Sequence, residues 1–222
     1  MIEQDISHHI QKHILAVLYR QKVARFRDLR KPSVDTNLFS YHLKLLVKGC
    51  MVEKTSDGYT LGQKGLAYVD RISEKSMNVR TQPKIVTMMV VQNGNGDILL
   101  QKRTKQPYID TWTLPYGKLH IDDASIAAAA TREVYEKLGI ENAPVDYAGD
   151  CYIRVKIGDN ILSTTLVHVF RFTSDDIAET DTIHWARPHK LAQYDLAPAV
   201  EQIVARTFFR DPVFFEEFTV EW

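Results

Sequence analysis

Residues 117–140 read GKLHIDDASIAAAATREVYEKLGI and predict a glycine loop that leads into an alanine-rich helix. Ser125 and the aspartates before it offer N-capping oxygens, and Gly139 suits a left-handed helix end. Glu133 and Glu136 lie on one stripe of this helix, because residues three apart are neighbours on a helix surface. An adjacent apolar stripe is predicted to pack on a sheet, and it consists of Ile126, Ala130, Val134 and Leu138.

The two glutamates next to a glycine loop are hard oxygen ligands of the kind that hold Mg²⁺ beside a substrate phosphate. The alternative is an ordinary amphipathic helix whose acids are solvated. Glu133 and Glu136 taken alone leave both alternatives open.

The same stretch resembles the Nudix box, which reads Gly, five residues, Glu, seven residues, then Arg-Glu-apolar-any-Glu-Glu-any-Gly-apolar. Residues 132–140 match the second half at every fixed place except one, where Lys137 replaces a glutamate. The first half is one residue longer than the pattern, and Asp123 takes the place of its glutamate. The approach WTLPYGK at residues 112–118 is also similar to that of the family. The resemblance implies that residues 84–222 form a Nudix α/β/α sandwich with a mixed sheet.

Such a MutT-like domain implies a hydrolase that cleaves a nucleoside diphosphate linked to another group with the help of Mg²⁺ or Mn²⁺. By this resemblance Glu133 and Glu136 bind the metal, the Gly117 carbonyl adds a ligand, and Arg132 orients Glu133. Contacts to the nucleotide-type substrate are expected from Lys137, Arg103, Lys118 and Asp123.

Lys137 leaves the function open, because an ammonium cannot bind Mg²⁺. It can replace one metal ion at the diphosphate, or it can pair with Glu133 four residues earlier. The first alternative keeps an enzyme with fewer metals. The second favours a transcription regulator whose degenerate Nudix domain senses a nucleotide or nucleotide-sugar without hydrolysing it, so that the ligand shifts DNA affinity between two conformations. A third alternative is a hydrolase that uses its N-terminal domain only to dimerise.

Residues 1–75 predict three helices, a hairpin around an Asp-Gly turn and a closing helix. This order and the sequence FSYHLK at residues 39–44 resemble the winged helix-turn-helix of bacterial ArsR- and MarR-type regulators. The chain is therefore predicted to be α+β, with a polar linker at residues 76–83 between the two domains. The expected elements are helices at 8–21, 23–30 and 36–47, strands at 50–54 and 59–61, and a helix at 64–72.

The third helix places a polar face opposite a broad apolar arc. Amides and hydroxyls on that face can contact base edges, and its lysines can contact phosphates, so we expect DNA binding. The alternative is that this domain docks a protein or dimerises. Residues 1–75 carry 13 basic and 8 acidic residues, whereas the rest carries 15 and 20, which agrees with nucleic-acid binding. The polar face is Asn37, Ser40, Tyr41, Lys44 and Lys48, and the arc is Leu38, Phe39, His42, Leu43, Leu45 and Leu46.

Residue composition indicates which cellular compartment and which oligomeric state to expect. Cys50 and Cys151 fall in different halves and are expected to be reduced, buried thiols. No apolar run approaches the ~20 residues of a membrane-spanning helix, so a cytoplasmic protein without a membrane partner is expected. An aromatic tail predicts burial against the body or a second subunit, and we expect a homodimer. The tail comprises Phe208, Phe209, Phe214, Phe215, Phe218 and Trp222.

Overall fold

The computed structural model describes residues 6–73, 77–79, 81–208 and 213–222. The chain divides into two compact units, residues 1–82 and 83–222. Within the described ranges, no helix is both long and apolar enough to cross a lipid bilayer.

Among its described residues, the first unit contains four helices and two short antiparallel strand pairs. Asp35 caps the third helix, since its carboxylate accepts hydrogen bonds from the backbone N–H groups of Asn37 and Leu38. The element order agrees with the sequence prediction as far as the fourth helix. The elements are α1 (His9–Arg20), α2 (Phe26–Leu29), α3 (Thr36–Lys48), β1 (Val52–Lys54), β2 (Tyr59–Leu61), α4 (Gln63–Val69), β3 (Ile72–Ser73) and β4 (Asn78–Val79).

Part of the predicted linker at residues 76–83 belongs to this first unit. Strand β4 pairs with β3, and the side chain of Met77 is buried in the core of the unit. Ser76 and Arg80 lie outside the described residues. The polar composition of the segment gave no signal for the β3–β4 pair, because Met77 is its one buried apolar residue among those described.

Helix α3 buries a narrower face than the sequence predicted. Phe39, His42, Leu43 and Leu46 are buried, but Leu38 is 46% exposed and Leu45 is 39% exposed. Both leucines flank the buried stripe, where no other part of the described chain covers them fully. The apolar arc is therefore wider than the surface that α1 and its neighbours can bury.

A stack of histidines joins the start of α1 to α3. The ring of His42 lies 3.7 Å from that of His8, which in turn lies 4.6 Å from that of His9. His42 is buried, and its Nδ1 atom has no hydrogen-bond partner among the described residues. Burial, followed by the charges of His8 and His9, lowers the pKa of His42.

This lowered pKa makes the first unit sensitive to acid. The unfolded chain binds a proton at His42 more readily than the folded chain does, so stability falls as pH drops through about 6.5. We expect His42→Leu to flatten the dependence of unfolding on pH, as measured by urea titrations from neutral to mildly acidic pH. The exposed His189 provides the control, because His189→Leu should leave that dependence unchanged.

The second unit is built on a mixed sheet with strand order β11-β6-β5-β10-β9-β12. Strand β7 pairs with β6, and β8 pairs with β5. The β10–β5 and β12–β9 pairs are parallel, whereas the remaining pairs are antiparallel. The elements are β5 (Lys84–Gln92), β6 (Ile98–Lys102), β7 (Trp112–Thr113), β8 (Tyr116–Lys118), α5 (Ile126–Leu138), β9 (Asp146–Ile157), β10 (Asn160–Thr173), β11 (Ile183–Ala186), α6 (Val200–Thr207) and β12 (Phe214–Glu221), with a 3₁₀ helix at Pro188–Gln193.

The alternation of side chains along β5 places the two long helices on opposite faces of the sheet. Val86, Met88 and Val90 pack in a cluster that includes Ile203 of α6. Met89 and Val91 pack in a second cluster that includes Val134 of α5. The predicted α/β/α sandwich with a mixed sheet is therefore present in this unit.

Helix α5 begins and ends where the sequence indicates. The Ser125 hydroxyl accepts a hydrogen bond from the N–H of Ala128, and Gly139 ends the helix with a φ of 72°. Ile126 departs from the prediction because it is 39% exposed in the first turn. The buried stripe consists instead of Ala129, Ala130 and Val134, with Leu138 packed against it.

The aromatic tail adds an edge strand that the sequence did not predict. Phe214 and Phe218 of β12 pack on the main core, whereas Phe215 is 64% exposed and Trp222 is 46% exposed. Phe209 lies outside the described residues. The tail is therefore partly buried against its own unit, and the homodimer stays a prediction.

The two cysteines differ in environment. Cys151 is buried as predicted, and burial raises the pKa of its thiol to about 12. Cys50 is exposed, contrary to the prediction. It follows the end of α3 in a turn with a φ of 58°, which places it outside the core.

Candidate functional site

The carboxylate of Glu133 occupies the space that a side chain at position 117 would fill. A Cβ atom built on Gly117 would lie 1.6 Å from Cδ of Glu133 and 1.9 Å from each carboxylate oxygen. Glu133 is 4% exposed, although it carries a charge. Only glycine on β8 lets the first acid of α5 come so close to the sheet.

Arg132 holds the loop before α5 to the helix. Its Nε and Nη2 atoms donate to the two carboxylate oxygens of Asp123, each over 2.9 Å, and Nη2 also donates to the Lys118 carbonyl over 3.1 Å. The hydrogen bonds from Arg132, and next the backbone N–H of His120, lower the pKa of Asp123 to about 2. Both carboxylate oxygens of Asp123 are therefore occupied by Arg132. Asp123 lies outside the set of residues that line the cleft described below.

Arg132 also orients the two glutamates. Its Nη1 atom lies 2.7 Å from Oε1 of Glu133 and 3.4 Å from Oε1 of Glu136. Hydrogen bonds to Asp123 and then to Glu133 raise the pKa of Arg132 above its ordinary value. Within the described ranges no salt bridge joins Lys137 to Glu133, so Arg132 fills the role that the sequence left open for Lys137.

An open cleft of about 360 Å³ lies beside these acids. Its basic side chains outnumber its carboxylates by five to two, which favours an anionic ligand. Gly117, Tyr116, Thr113 and His120 complete part of the wall. The basic residues are Lys102, Arg103, Lys105, Lys118 and Lys137, and the acids are Glu133 and Glu136.

Arg103 is fixed by its own loop. Its Nε atom donates to the Pro107 carbonyl over 2.9 Å, and Nη1 donates to the Tyr116 hydroxyl. Its guanidinium carbon lies 5.2 Å from the ring centre of Tyr116 and 5.6 Å from that of Tyr108. Of the predicted substrate contacts, Lys118 and Lys137 line the cleft and form no salt bridge with a described residue, while Arg103 lies near two aromatic rings.

A second, more apolar cavity of about 230 Å³ adjoins the cleft. Arg103, Thr113, Tyr116 and Lys118 line both spaces. A cationic cleft beside an apolar chamber suits a ligand with a charged part and a flat apolar part. The apolar wall comprises Val86, Met88, Ile153, Val155, Val167 and Tyr108.

The donor set limits what metal the cleft can hold. Glu133 and Glu136 offer carboxylate oxygens, which are ligands of the kind that a hydrated divalent ion takes together with phosphate oxygens. The described residues contain no group of three or more His, Cys, Asp or Glu side chains arranged for a metal. Lys137 stands where a further carboxylate would be needed for a larger set.

Two acids in the loop after β10 bind groups outside the cleft. Asp175 accepts a hydrogen bond from the N–H of Gly94 over 2.7 Å. Glu179 pairs with His184 over 2.7 Å and accepts from the N–H of Trp185. These two carboxylates therefore have structural partners away from the cleft.

The polar face predicted on α3 is largely accessible. Asn37, Lys44 and Lys48 are exposed, Tyr41 is 58% exposed, and Ser40 is half-buried. Leu38 and Leu45 are also exposed, and they lie three residues before and four residues after Tyr41. Residues at this spacing are neighbours on a helix surface, so α3 presents an apolar strip beside its lysines.

Sequence reasoning missed part of the cleft. Lys102, Tyr116 and His120 line it but were not predicted as site residues. The basic run KRTK at residues 102–105 was the available signal for Lys102. Tyr116 and His120 stand within or next to the quoted glycine loop, but nothing in their spacing shows which way they face.

Comparisons with known proteins bear on the second unit. The family model of the NUDIX domain matches residues 82–207. The mutator MutT protein from Bacillus halodurans is 19% identical with a TM-score of 0.50, over 61% of this chain and 89% of that chain. The NUDIX domain of Shewanella oneidensis NrtR complexed with ADP ribose is 15% identical with a TM-score of 0.48, over 64% of this chain and 94% of that chain. NrtR from the same organism complexed with a 27mer DNA is 16% identical with a TM-score of 0.47, over 55% of this chain and 59% of that chain. At these identities the similarity concerns the fold.

Proposed function

Because this chain belongs to the Nudix domain family, we propose that its second unit binds a nucleoside diphosphate linked to another group and hydrolyses the phosphate bridge. One observation carries the proposal. The carboxylate of Glu133 is buried against Gly117, held by Arg132, and placed beside a cleft rich in cations. A carboxylate so fixed next to a phosphate site suits phosphoryl chemistry.

Each kind of side chain has a separate role in the proposed reaction. Lys102, Lys118 and Lys137 neutralise the phosphate oxygens, and the apolar cavity beside Tyr116 takes the nucleoside. Glu133 and Glu136, with the Gly117 carbonyl, would hold Mg²⁺ or Mn²⁺. When bound, such an ion stabilises charge on the phosphoryl group and lowers the pKa of water. Arg132 keeps Glu133 oriented throughout, because it binds Asp123 at the same time.

A substrate panel tests this proposal. Purified full-length protein is incubated with Mg²⁺ or Mn²⁺ and with ADP-ribose, NAD, nucleotide sugars or nucleoside triphosphates, and the products are separated by chromatography. We expect monophosphates from at least one diphosphate-linked compound. Absence of product from every compound would contradict the hydrolase.

A second function is favoured by Lys137 and by the excess of cations in the cleft. A sensor needs a phosphate site but not complete metal chemistry. On this proposal the second unit binds the same class of ligand without cleaving it, and the ligand alters DNA binding by the first unit.

Replacing Lys137 separates the two functions. In the hydrolase, Lys137→Glu is expected to raise the KM by about 10- to 150-fold, since loss of a charge-assisted contact removes roughly 1.5–3 kcal/mol. In the sensor, the parent protein shows no turnover and Lys137→Glu gains some by supplying a third carboxylate. The exposed Lys190 gives the matched control, because Lys190→Glu should alter neither quantity.

We further propose that the first unit is a winged helix-turn-helix that binds DNA through α3. The order of three helices, a hairpin and a fourth helix supports this, as does the exposure of Asn37, Tyr41, Lys44 and Lys48. Leu38 and Leu45 favour the alternative of protein docking.

DNA binding predicts a steep dependence on salt. We expect Lys44→Ala to weaken binding to mixed-sequence duplexes and to reduce the salt slope by about 1, as one phosphate contact is lost. Fluorescence anisotropy at several salt concentrations measures both quantities. Lys190→Ala is the control and should leave the affinity unchanged. An affinity that is independent of salt, or a Lys44→Ala protein that binds as tightly as the Lys190→Ala control, would favour protein docking.

A further inference from the structure

A row of polar residues crosses the sheet beneath α5. Thr87 on β5 pairs in register with Gly117 on β8 and with His168 on β10. His168 in turn pairs with Asp150 on β9. Directly opposed residues of neighbouring strands point to the same face of a sheet. All four positions therefore share the face on which Glu133 lies.

Thr87 is the unexplained member of this row. It is fully buried, and its Oγ1 atom has no hydrogen-bond partner among the described residues. A buried hydroxyl without a partner is unfavourable, and native proteins nearly always supply one. Valine would fill the same space without that penalty, so the hydroxyl calls for a partner.

The register gives the distance from Thr87 to Glu133. The carboxyl carbon of Glu133 lies 1.6 Å from the Cβ position of Gly117. Opposed Cβ atoms of an antiparallel pair are about 4.5–5.5 Å apart. The Thr87 hydroxyl is attached to one of these Cβ atoms but makes no direct hydrogen bond to the carboxylate, so one bridging water is the link that this spacing leaves.

The carboxylate nearest the other side of Thr87 already has a partner. His168 stands about one strand spacing, ~4.8 Å, away. Its Nδ1 atom lies 2.7 Å from Oδ1 of Asp150, so that carboxylate has a partner. Arg132 binds Oε1 of Glu133 and leaves the second oxygen for another donor. Glu133 is therefore the carboxylate available to Thr87.

We infer that Thr87 is a positioning residue for Glu133, and that its hydroxyl donates through one bridging water to the carboxylate oxygen that Arg132 does not hold. Two attachments on opposite oxygens fix the plane of the carboxylate, whereas Arg132 alone allows it to rotate. The contact itself does not depend on hydrolysis, but its role in catalysis rests on the proposed function.

A double-mutant cycle on unfolding tests the contact without any need for turnover. The full-length chain is compared with Thr87→Val, Glu133→Ala and the double variant in urea. All three tryptophans, Trp112, Trp185 and Trp222, belong to the second unit, so their fluorescence reports its unfolding. We expect the two changes to be coupled by at least about fivefold in the unfolding equilibrium constant. Thr165→Val, on the opposite face of the sheet, should be additive with Glu133→Ala.

Two results would overturn the inference. One is a Thr87→Val protein as stable as the parent or more so, and the other is additivity with Glu133→Ala. In the hydrolase assay we expect Thr87→Val to lower kcat more than it changes KM, and Thr87→Ser to restore kcat. A parent protein without turnover would end the proposed function, while the unfolding cycle would still decide whether Thr87 and Glu133 interact.

Discussion

Glu133→Gln is expected to lower kcat for cleavage of a diphosphate-linked nucleotide by about 10²- to 10³-fold, the range for loss of one group that stabilises charge in the transition state. Glutamine has nearly the same shape, so it fits against Gly117 where the carboxylate now lies. It lacks the negative charge that binds Arg132 and would help to hold a divalent ion. The KM should change little, because lysines supply most of the contact to the phosphates.

Steady-state kinetics with the best substrate from the panel measure this effect. The exposed Glu217 on β12 provides the control, since Glu217→Gln removes one negative charge far from the cleft lining. A Glu133→Gln protein that is folded and retains kcat within about twofold would show that another group does the chemistry.

Gly117→Ala is expected to remove hydrolysis as thoroughly and also to destabilise the second unit by about 1–3 kcal/mol, as overpacking of a filled interior does. The added methyl group would lie 1.6 Å from the carboxyl carbon of Glu133, so the acid must leave its position. Urea unfolding followed by tryptophan fluorescence measures the loss of stability, and the kinetic assay measures the loss of turnover.

The cause of this loss can be isolated. In a Glu133→Ala background the collision is absent, so Gly117→Ala should then cost much less. Gly94→Ala is a suitable control, because its new methyl group would meet only the flexible carboxylate of Asp175 at 3.3 Å. Equal destabilisation with and without Glu133 would mean that the strand itself, not the acid, requires glycine.

Local signals in the sequence were sufficient for α5 and its acids. The Ser125 cap, the Gly139 end and the spacing of Glu133 and Glu136 all act within a few residues. Long-range pairing was not accessible in the same way. The register that places Thr87 beside Gly117 and His168 joins strands up to 81 residues apart, and no local pattern encodes it.

Two features show what local reasoning leaves undecided. The spacing of four residues left open an ion pair between Lys137 and Glu133, but the adjacent Arg132 reaches Glu133 while it also binds Asp123. Strand β12 was not predicted because its apolar residues do not alternate cleanly, and its partner β9 lies about sixty residues earlier in the chain. In both cases a tertiary contact decides between arrangements that the sequence leaves open.

Hydrolysis in isotopically labelled water tests most directly whether Glu133 acts at a phosphate bridge. Mass spectrometry of the products from ADP-ribose or another diphosphate-linked nucleotide shows whether water oxygen enters a phosphate. We predict one labelled oxygen in a monophosphate released by the parent protein with Mg²⁺ or Mn²⁺, and almost none with Glu133→Gln. Equal incorporation by both proteins, or release of unlabelled monophosphates, would contradict the assignment.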